Sequence, residues 1–175
     1  MNPWRKIPGA FPQAHYEIHV PWTHLERWLE GTEEDYSLNL SPDYQRAHVW
    51  TERQQRAYVE YCLQGGEGSQ VLYWNSIGWD TTDPHPVELV DGKQRLEAVR
   101  RFLRGELTVF RDIVYDPSGP RMPLDFGFKM KIAALPTRHE VLHWYLAINA
   151  GGTPHTEEEL DRVRKLLDEE KRNEH

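Results

Sequence analysis

This sequence predicts a chain that interleaves helices with short strands, and three observations carry that expectation. The β-branched run Val87-Glu88-Leu89-Val90 stops at Asp91-Gly92, and a helical period starts at once, with Leu96, Val99, Phe102 and Leu103 on one face. Thr51 followed by Gln54, and Thr156 followed by Glu159, have the spacing of capping boxes that open helices. Leu38-Asn39-Leu40 alternates and stops at Ser41-Pro42, as a short strand does before proline. At 175 residues the chain has the length of one domain and can bury a proper core.

Taken in order, residues 1–20 form a proline-rich, irregular arm, residues 21–168 one domain, and residues 169–175 a charged tail that frays. Residues 22–30 fit a short helix that buries Leu25, Trp28 and Leu29 and ends at Gly31. The helix opened by Thr51 runs to about Gln64, where Gly65-Gly66 ends it. Residues 70–74 are strand-like, and the turn-rich stretch 79–86 leads into the central strand. Residues 107–115 read as a further strand, followed by a turn at 116–120. Residues 138–148 are helical, and the helix opened by Thr156 is amphipathic through Leu160, Val163, Leu166 and Leu167. There is no internal repeat and no low-complexity segment.

The formal charge of −7 and a pI near 5.7 argue against a protein that coats nucleic acid by bulk electrostatics. The charge is uneven. Lys93, Arg95, Arg100, Arg101, Arg104 and Arg111 face only Glu97 and Glu106 within the same stretch, so a local basic face suits a compact polyanion such as a nucleotide. Cys62 is the sole cysteine, so no internal disulfide forms; its helical setting reads as a packed thiol. No apolar run approaches a membrane span, and the first residues lack the apolar core of a signal peptide, so a cytoplasmic protein with no membrane partner is expected. Among seven tryptophans and eight tyrosines, Trp50, Trp74 and Trp79 are candidates for a base-stacking surface, with core packing as the alternative.

The turn after Val90 carries the chemistry. A helix N-terminus presents unpaired amides and the positive end of the helix dipole, which favour an anion. Gly92, lacking Cβ, lets a ligand approach the backbone. Lys93 and Arg95 supply a point charge and a fork-shaped donor for phosphate. Asp91 supplies a carboxylate that can hold Mg²⁺ or take a proton. The alternative is a plain strand–turn–helix corner whose cations face solvent.

Three islands of residue choice recur in one order: Tyr44-Gln45-Arg46 with Val49-Trp50 after it, Asp91-Gly92-Lys93-Gln94-Arg95-Leu96, and Ile148-Asn149-Ala150-Gly151-Gly152-Thr153-Pro154 before a helix containing Glu159-Leu160. Together they resemble the N-terminal domain of GmrSD-type restriction endonucleases, within the broader ParB/sulfiredoxin superfamily, over roughly residues 38–167. The resemblance implies an α+β fold with a small mixed sheet flanked by helices and a C-terminal helical segment. It implies binding and Mg²⁺-dependent hydrolysis of a nucleoside triphosphate, or phosphoryl transfer, in DNA restriction, phage defence or phage DNA metabolism. By position it places Asp91, Gln94 and Arg95 on the signature residues, where Arg95 and Arg46 can clamp phosphate oxygens, Gln94 can orient a water, and Asp91 can position Mg²⁺ or that water. Tyr44, Gln45 and Trp50 are expected at a nucleotide or nucleic acid, with core packing as the alternative for Tyr44 and Trp50. Asn149 falls on the third motif, and Thr153 is either a ligand contact or a turn residue. DNA and a separate nuclease or modification protein are the implied partners.

Two departures qualify the resemblance. Lys93 stands where the family usually has glutamine, which adds a cation and removes an amide. No cysteine stands at the reactive position of sulfiredoxins, so that chemistry is excluded. Many relatives continue into a nuclease domain of His-Asn-His type, which this sequence does not contain. A non-catalytic nucleotide or nucleic-acid module is the alternative, supported by the arginines of residues 95–104. A second alternative is His139-Glu140-Val141-Leu142-His143, which matches the H-E-x-x-H pattern of zinc hydrolases and has His155 as a possible third ligand.

Overall fold

The computed structural model describes residues 16–45, 50–66, 70–77, 85–149 and 157–173. Alternation along the strands sorts its apolar residues into two clusters on opposite faces of one sheet. On β4 (Pro86–Asp91), Val87 and Leu89 join the first cluster and Val90 the second. The other strands are β1 (Tyr16–Pro21), β2 (Ser37–Asn39), β3 (Val71–Ser76) and β5 (Gly127–Ala133), in the spatial order β1-β5-β3-β4-β2. The sheet is mixed: β1 with β5 and β3 with β4 are antiparallel, whereas β3 with β5 and β2 with β4 are parallel.

Helices α1 (Leu25–Asp35), α2 (Glu52–Leu63) and α3 (Lys93–Leu103) cover the first face, bringing Leu25, Leu29, Val59, Cys62, Val99 and Phe102 onto Leu72, Trp74 and Leu89. Helices α4 (Arg138–Asn149) and α5 (Glu157–Asn173) cover the second, where Val141, Leu142, Val163 and Leu167 meet Val90 and Ala133. The protein is therefore α+β, with a small mixed sheet flanked by helices and a C-terminal helix. Among the described residues, no helix is long and apolar enough to cross a membrane.

Local signals hold at several elements. The Thr51 capping box forms in both directions, with Gln54 N donating to Thr51 Oγ1 and Thr51 N to Gln54 Oε1. Cys62 is fully buried. Elsewhere tertiary contacts override the local reading. Residues 16–21, expected to fall mostly in the irregular arm, form edge strand β1, paired with β5 along its length. Helix α1 runs through Gly31 to Asp35. The continuous strand expected over 107–115 is instead a tight reversal in which Val109 and Ile113 exchange both backbone bonds, at 2.8 and 2.9 Å. Phe110 and Arg111 take positive φ there, 48° and 76°, and Glu60 of α2 accepts the Phe110 N–H at 2.6 Å. Strand β5 has no counterpart in the sequence reading, although Phe128, Met130 and Ile132 alternate with Lys129 and Lys131. The Thr156 capping box lies outside the described residues.

Leu89 of β4 is fully buried in the first cluster, so truncating it leaves a cavity there. Leu89→Ala is expected to lower unfolding stability by about 2–5 kcal/mol, read from urea denaturation, with the native circular-dichroism spectrum retained.

Candidate functional site

Parallel pairing of β2 with β4, in the register Leu38↔Val87 and Asn39↔Glu88, brings two chain exits to the same end of the sheet. One exit is the loop after Asn39 that carries Pro42 to Gln45; the other is the turn from Asp91 into α3. Ligands of open α/β sheets characteristically lie outside such carboxyl ends.

The turn itself is one residue long. Gly92 takes φ +111°, and a Cβ there would collide with the Leu72 side chain. Strand therefore passes into helix with no intervening loop, and no side chain caps α3. Arg95 does not face solvent. Its guanidinium lies over Gly92, so that a Cβ on that residue would sit 3.3 Å from Nη2, and it is ion-paired to Asp91. The two side chains are only 23% and 25% exposed, and Arg95 Nε is buried without a hydrogen-bond partner. Arg95 also lies close enough to the buried Tyr58 phenol for its charge to act on it, although burial and Cys62 still push that phenol up.

The first island folds across this end. The Gln45 amide nitrogen donates to the Leu89 carbonyl, and Gln45, 8% exposed, keeps a buried Oε1 with no partner. Trp50 N donates to Gln94 Oε1 at 3.0 Å, and its carbonyl accepts from Gln55 Nε2 at 3.1 Å. Tyr44 belongs to the second core and Trp50 packs on the first, so the loop passes from one face of the sheet to the other.

The structure thus brings Gln45, Asp91, Gly92, Gln94, Arg95 and Trp50 together, and revises several individual roles. Tyr44 is 1% exposed and packs edge-on against Tyr145 at 5.2 Å, so it is core and not a base contact. Gln94 is buried with its carbonyl oxygen engaged by Trp50, which makes it an anchor of the loop. Trp50 is half-buried against Tyr58 at 5.3 Å. Trp74 is fully buried against Trp28, which removes it from any stacking surface. Lys93 lines a different wall, a groove of about 400 Å³ shared with Ser41, Gln55, Glu97 and Arg100, on the side of α3 away from Arg95. Asn149 donates to Tyr145 O of its own helix at 2.7 Å, and Tyr145 in turn meets Tyr44; residues 150–154 of the third island lie outside the described residues. Arg46, Thr153, Trp79 and His155 lie outside the described residues.

The basic face inferred around α3 is partly offset by carboxylates from elsewhere in the chain. Glu26 takes Arg100 through two bonds, 2.7 and 3.0 Å, and approaches Arg104 at 3.8 Å. Arg101 is shared by Gln55, Glu52 and Glu106. The H-E-x-x-H segment is likewise committed to structure: Glu140 Oε2 accepts from Thr137 N and Oγ1 at 3.1 and 3.0 Å, closing a cap on α4, while His143 is exposed. Among the described residues no three His, Cys, Asp or Glu side chains converge as a metal site. The third ligand named for the zinc-hydrolase reading, His155, lies outside them.

Three residues that the sequence reading does not single out converge on the loop. Arg138 Nη2 bonds both carboxylate oxygens of Asp43, at 2.8 and 2.7 Å, and its Nε approaches Glu170 at 3.5 Å. Arg162 donates to the carbonyls of Tyr44 and Gln45. Glu88 lies half-buried beside Tyr44. Burial pushes its carboxyl above 4.5, against the opposing pull of the neighbouring Asn75 and Tyr44 side chains and the charge of Arg138. Each lies about 40 to 120 residues from the loop residue it meets, so no local spacing marks it.

Comparison with known families gives one match. The profile for the GmrSD restriction endonuclease N-terminal domain matches residues 25–174, nearly the whole chain, and the chain belongs to that family. No curated protein and no solved structure matches.

Because Glu88 titrates higher in the folded protein than in the unfolded chain, its contribution to stability is fully present below pH 4.5 and is lost as pH rises through the raised value. Glu88→Gln is therefore expected to gain stability relative to the parent protein as pH rises from about 4 to about 7. Urea midpoints at the two pH values check this; a difference that does not change with pH overturns it.

Proposed function

We propose that this domain binds a nucleoside triphosphate with its phosphates at the β4–α3 turn and hydrolyses it or transfers its phosphoryl group, in the service of DNA restriction or phage defence. The observation that carries the reading is Arg95 itself: a guanidinium turned inward over an uncapped helix N-terminus, held among the described residues by Asp91, with its Nε buried and unpartnered. A cation over the positive end of a helix is electrostatically unfavourable unless an anion shares the site. Asp91 supplies that anion here, and phosphate oxygens have the charge and the bidentate geometry to replace it. The orphaned Gln45 Oε1 beside the same strand end is a further acceptor awaiting a donor.

Each residue then has a defined task. The leading amides of α3 and Arg95 bind phosphate oxygens and stabilise charge that develops on them. Gln94 and Gln45 hold the overlying loop. Asp91, freed from Arg95, is available to accept a proton or to ligate a cation. A single carboxylate does not make a metal cage, but it suits Mg²⁺, which keeps its waters and binds through one or two carboxylates plus substrate phosphates. When bound there, Mg²⁺ would neutralise phosphate charge. Membership of a restriction endonuclease family motivates the biological setting and a nuclease as partner.

Arg95→Lys is expected to weaken nucleotide binding by on the order of tenfold, because a point charge does not replace a fork at a bidentate site. Lys93→Arg should change it little, since Lys93 lines another wall. Titration calorimetry separates the two, and equal affinities would count against the assigned geometry. Phosphate release over a panel of nucleotides should be abolished in Asp91→Ala with folding intact; turnover that survives both Asp91→Ala and Arg95→Lys would remove this site from the chemistry.

A further inference from the structure

We propose that Arg162 of α5 is the positioning residue that fixes the Tyr44–Gln45 loop across the end of β4, so that α5 controls the geometry of a site it does not line. Its Nη2 donates to two successive backbone carbonyls, Tyr44 O at 3.2 Å and Gln45 O at 3.0 Å. Those carbonyls belong to the turn closed by Gln45 N on Pro42 O at 3.0 Å. A turn that aims two carbonyls the same way leaves acceptors unpaired, as a helix C-terminus does, and a guanidinium satisfies both with one nitrogen. The bond is long-range, so it couples two parts of the chain that sequence does not.

The rest of α5 supports this placement. Val163 and Leu167 bury its inner face in the second core beside Tyr44, and Glu170 reaches Arg138, which itself holds Asp43 of the same loop. Arg162 is therefore carried on a docked helix, and its reach to the loop is set by apolar packing one residue away. What it positions is Gln45, whose side chain meets Leu89 O two residues before Asp91. Loosening the two carbonyls frees Gln45 and, through the same segment, the Trp50–Gln94 bond. The inference that this matters for ligand binding rests on the proposed nucleotide site; the coupling of loop to helix does not.

The two levels separate experimentally. Amide hydrogen exchange on the unliganded protein should rise at least tenfold at Gln45 and Trp50 in Arg162→Met, which keeps the aliphatic stem. Arg162→Lys, which can still donate to both carbonyls, should restore most of the protection. Arg164→Met is the control, because Arg164 pairs with Asp161 on its own helix. In the parent protein, the loop amides and those of α5 should open together, with the same denaturant dependence. This readout still decides the matter if Arg162→Met fails to fold. Independent opening of the loop, or unchanged exchange in a folded Arg162→Met, overturns the assignment. ATP and GTP affinities measured with Mg²⁺ should fall five- to tenfold in Arg162→Met and recover in Arg162→Lys. If the exchange results hold and the parent protein binds neither nucleotide, the functional reading fails while the clamp stands. If the parent binds and Arg162→Met binds equally well, control of the site by α5 is overturned.

Discussion

A single backbone constraint organises this protein: the chain must pass from β4 into a helix through one residue, with φ near +111° and no room for a Cβ. Only glycine adopts that conformation without strain and without striking Leu72. Because the turn has no slack, Asp91 is the last strand residue and Lys93 the first helical one, so Asp91 and Arg95 fall four positions apart across the junction and meet. The same geometry sends α3 back over the first face, where Leu96, Val99 and Phe102 are buried. Site and core thus share one cause. Lengthening the turn by a residue would rotate α3 by roughly 100° and withdraw both at once.

The loop that overlies this turn is held from all three layers. The sheet contributes Leu89 O to Gln45, α3 contributes Gln94 to Trp50, and the opposite layer contributes Arg138 and Arg162 to Asp43, Tyr44 and Gln45. No one of these bonds is worth more than about 1–3 kcal/mol, and several are partly exposed. Their effect is geometric: they fix an irregular segment that local propensity alone leaves undetermined.

What the sequence made legible follows from how local each signal is. The β4–α3 junction depends on residues within a dozen positions of one another, and period and punctuation located it. The Thr51–Gln54 cap closes over three residues and forms as the spacing requires. By contrast, the reversal at Phe110 and Arg111 lacks the Gly or Asn that marks such turns; it persists because Glu60, fifty residues earlier, receives the Phe110 amide. Tyr44 sits inside a recognisable motif, yet the motif does not say that Tyr145 and Val90 enclose it. The arginines of α3 looked like a basic face because Glu26 and Glu52, their partners, lie far upstream. Strand β5 differs from these cases: the alternation of Phe128, Met130 and Ile132 with lysines was fully local.

The paired arginines also bear on what kind of anion the site can take. With Arg100, Arg101 and Arg104 paired to shared carboxylates, the positive field around α3 is reduced, which disfavours gathering a long polyanion on a chain of net charge −7. Recognition then rests on the few donors at the head of α3. There Arg95 is already ion-paired to Asp91, so an incoming anion must displace a carboxylate and leave that carboxylate uncompensated in a partly buried setting. A lone phosphate group offers nothing in return for that displacement. A polyphosphate accompanied by a divalent cation gives Arg95 an anion and Asp91 a cation in one step, and so keeps both members of the old pair satisfied. On the proposed reading, the Asp91–Arg95 pair is a selectivity device: it disfavours simple anions and admits ligands that carry their own counter-charge.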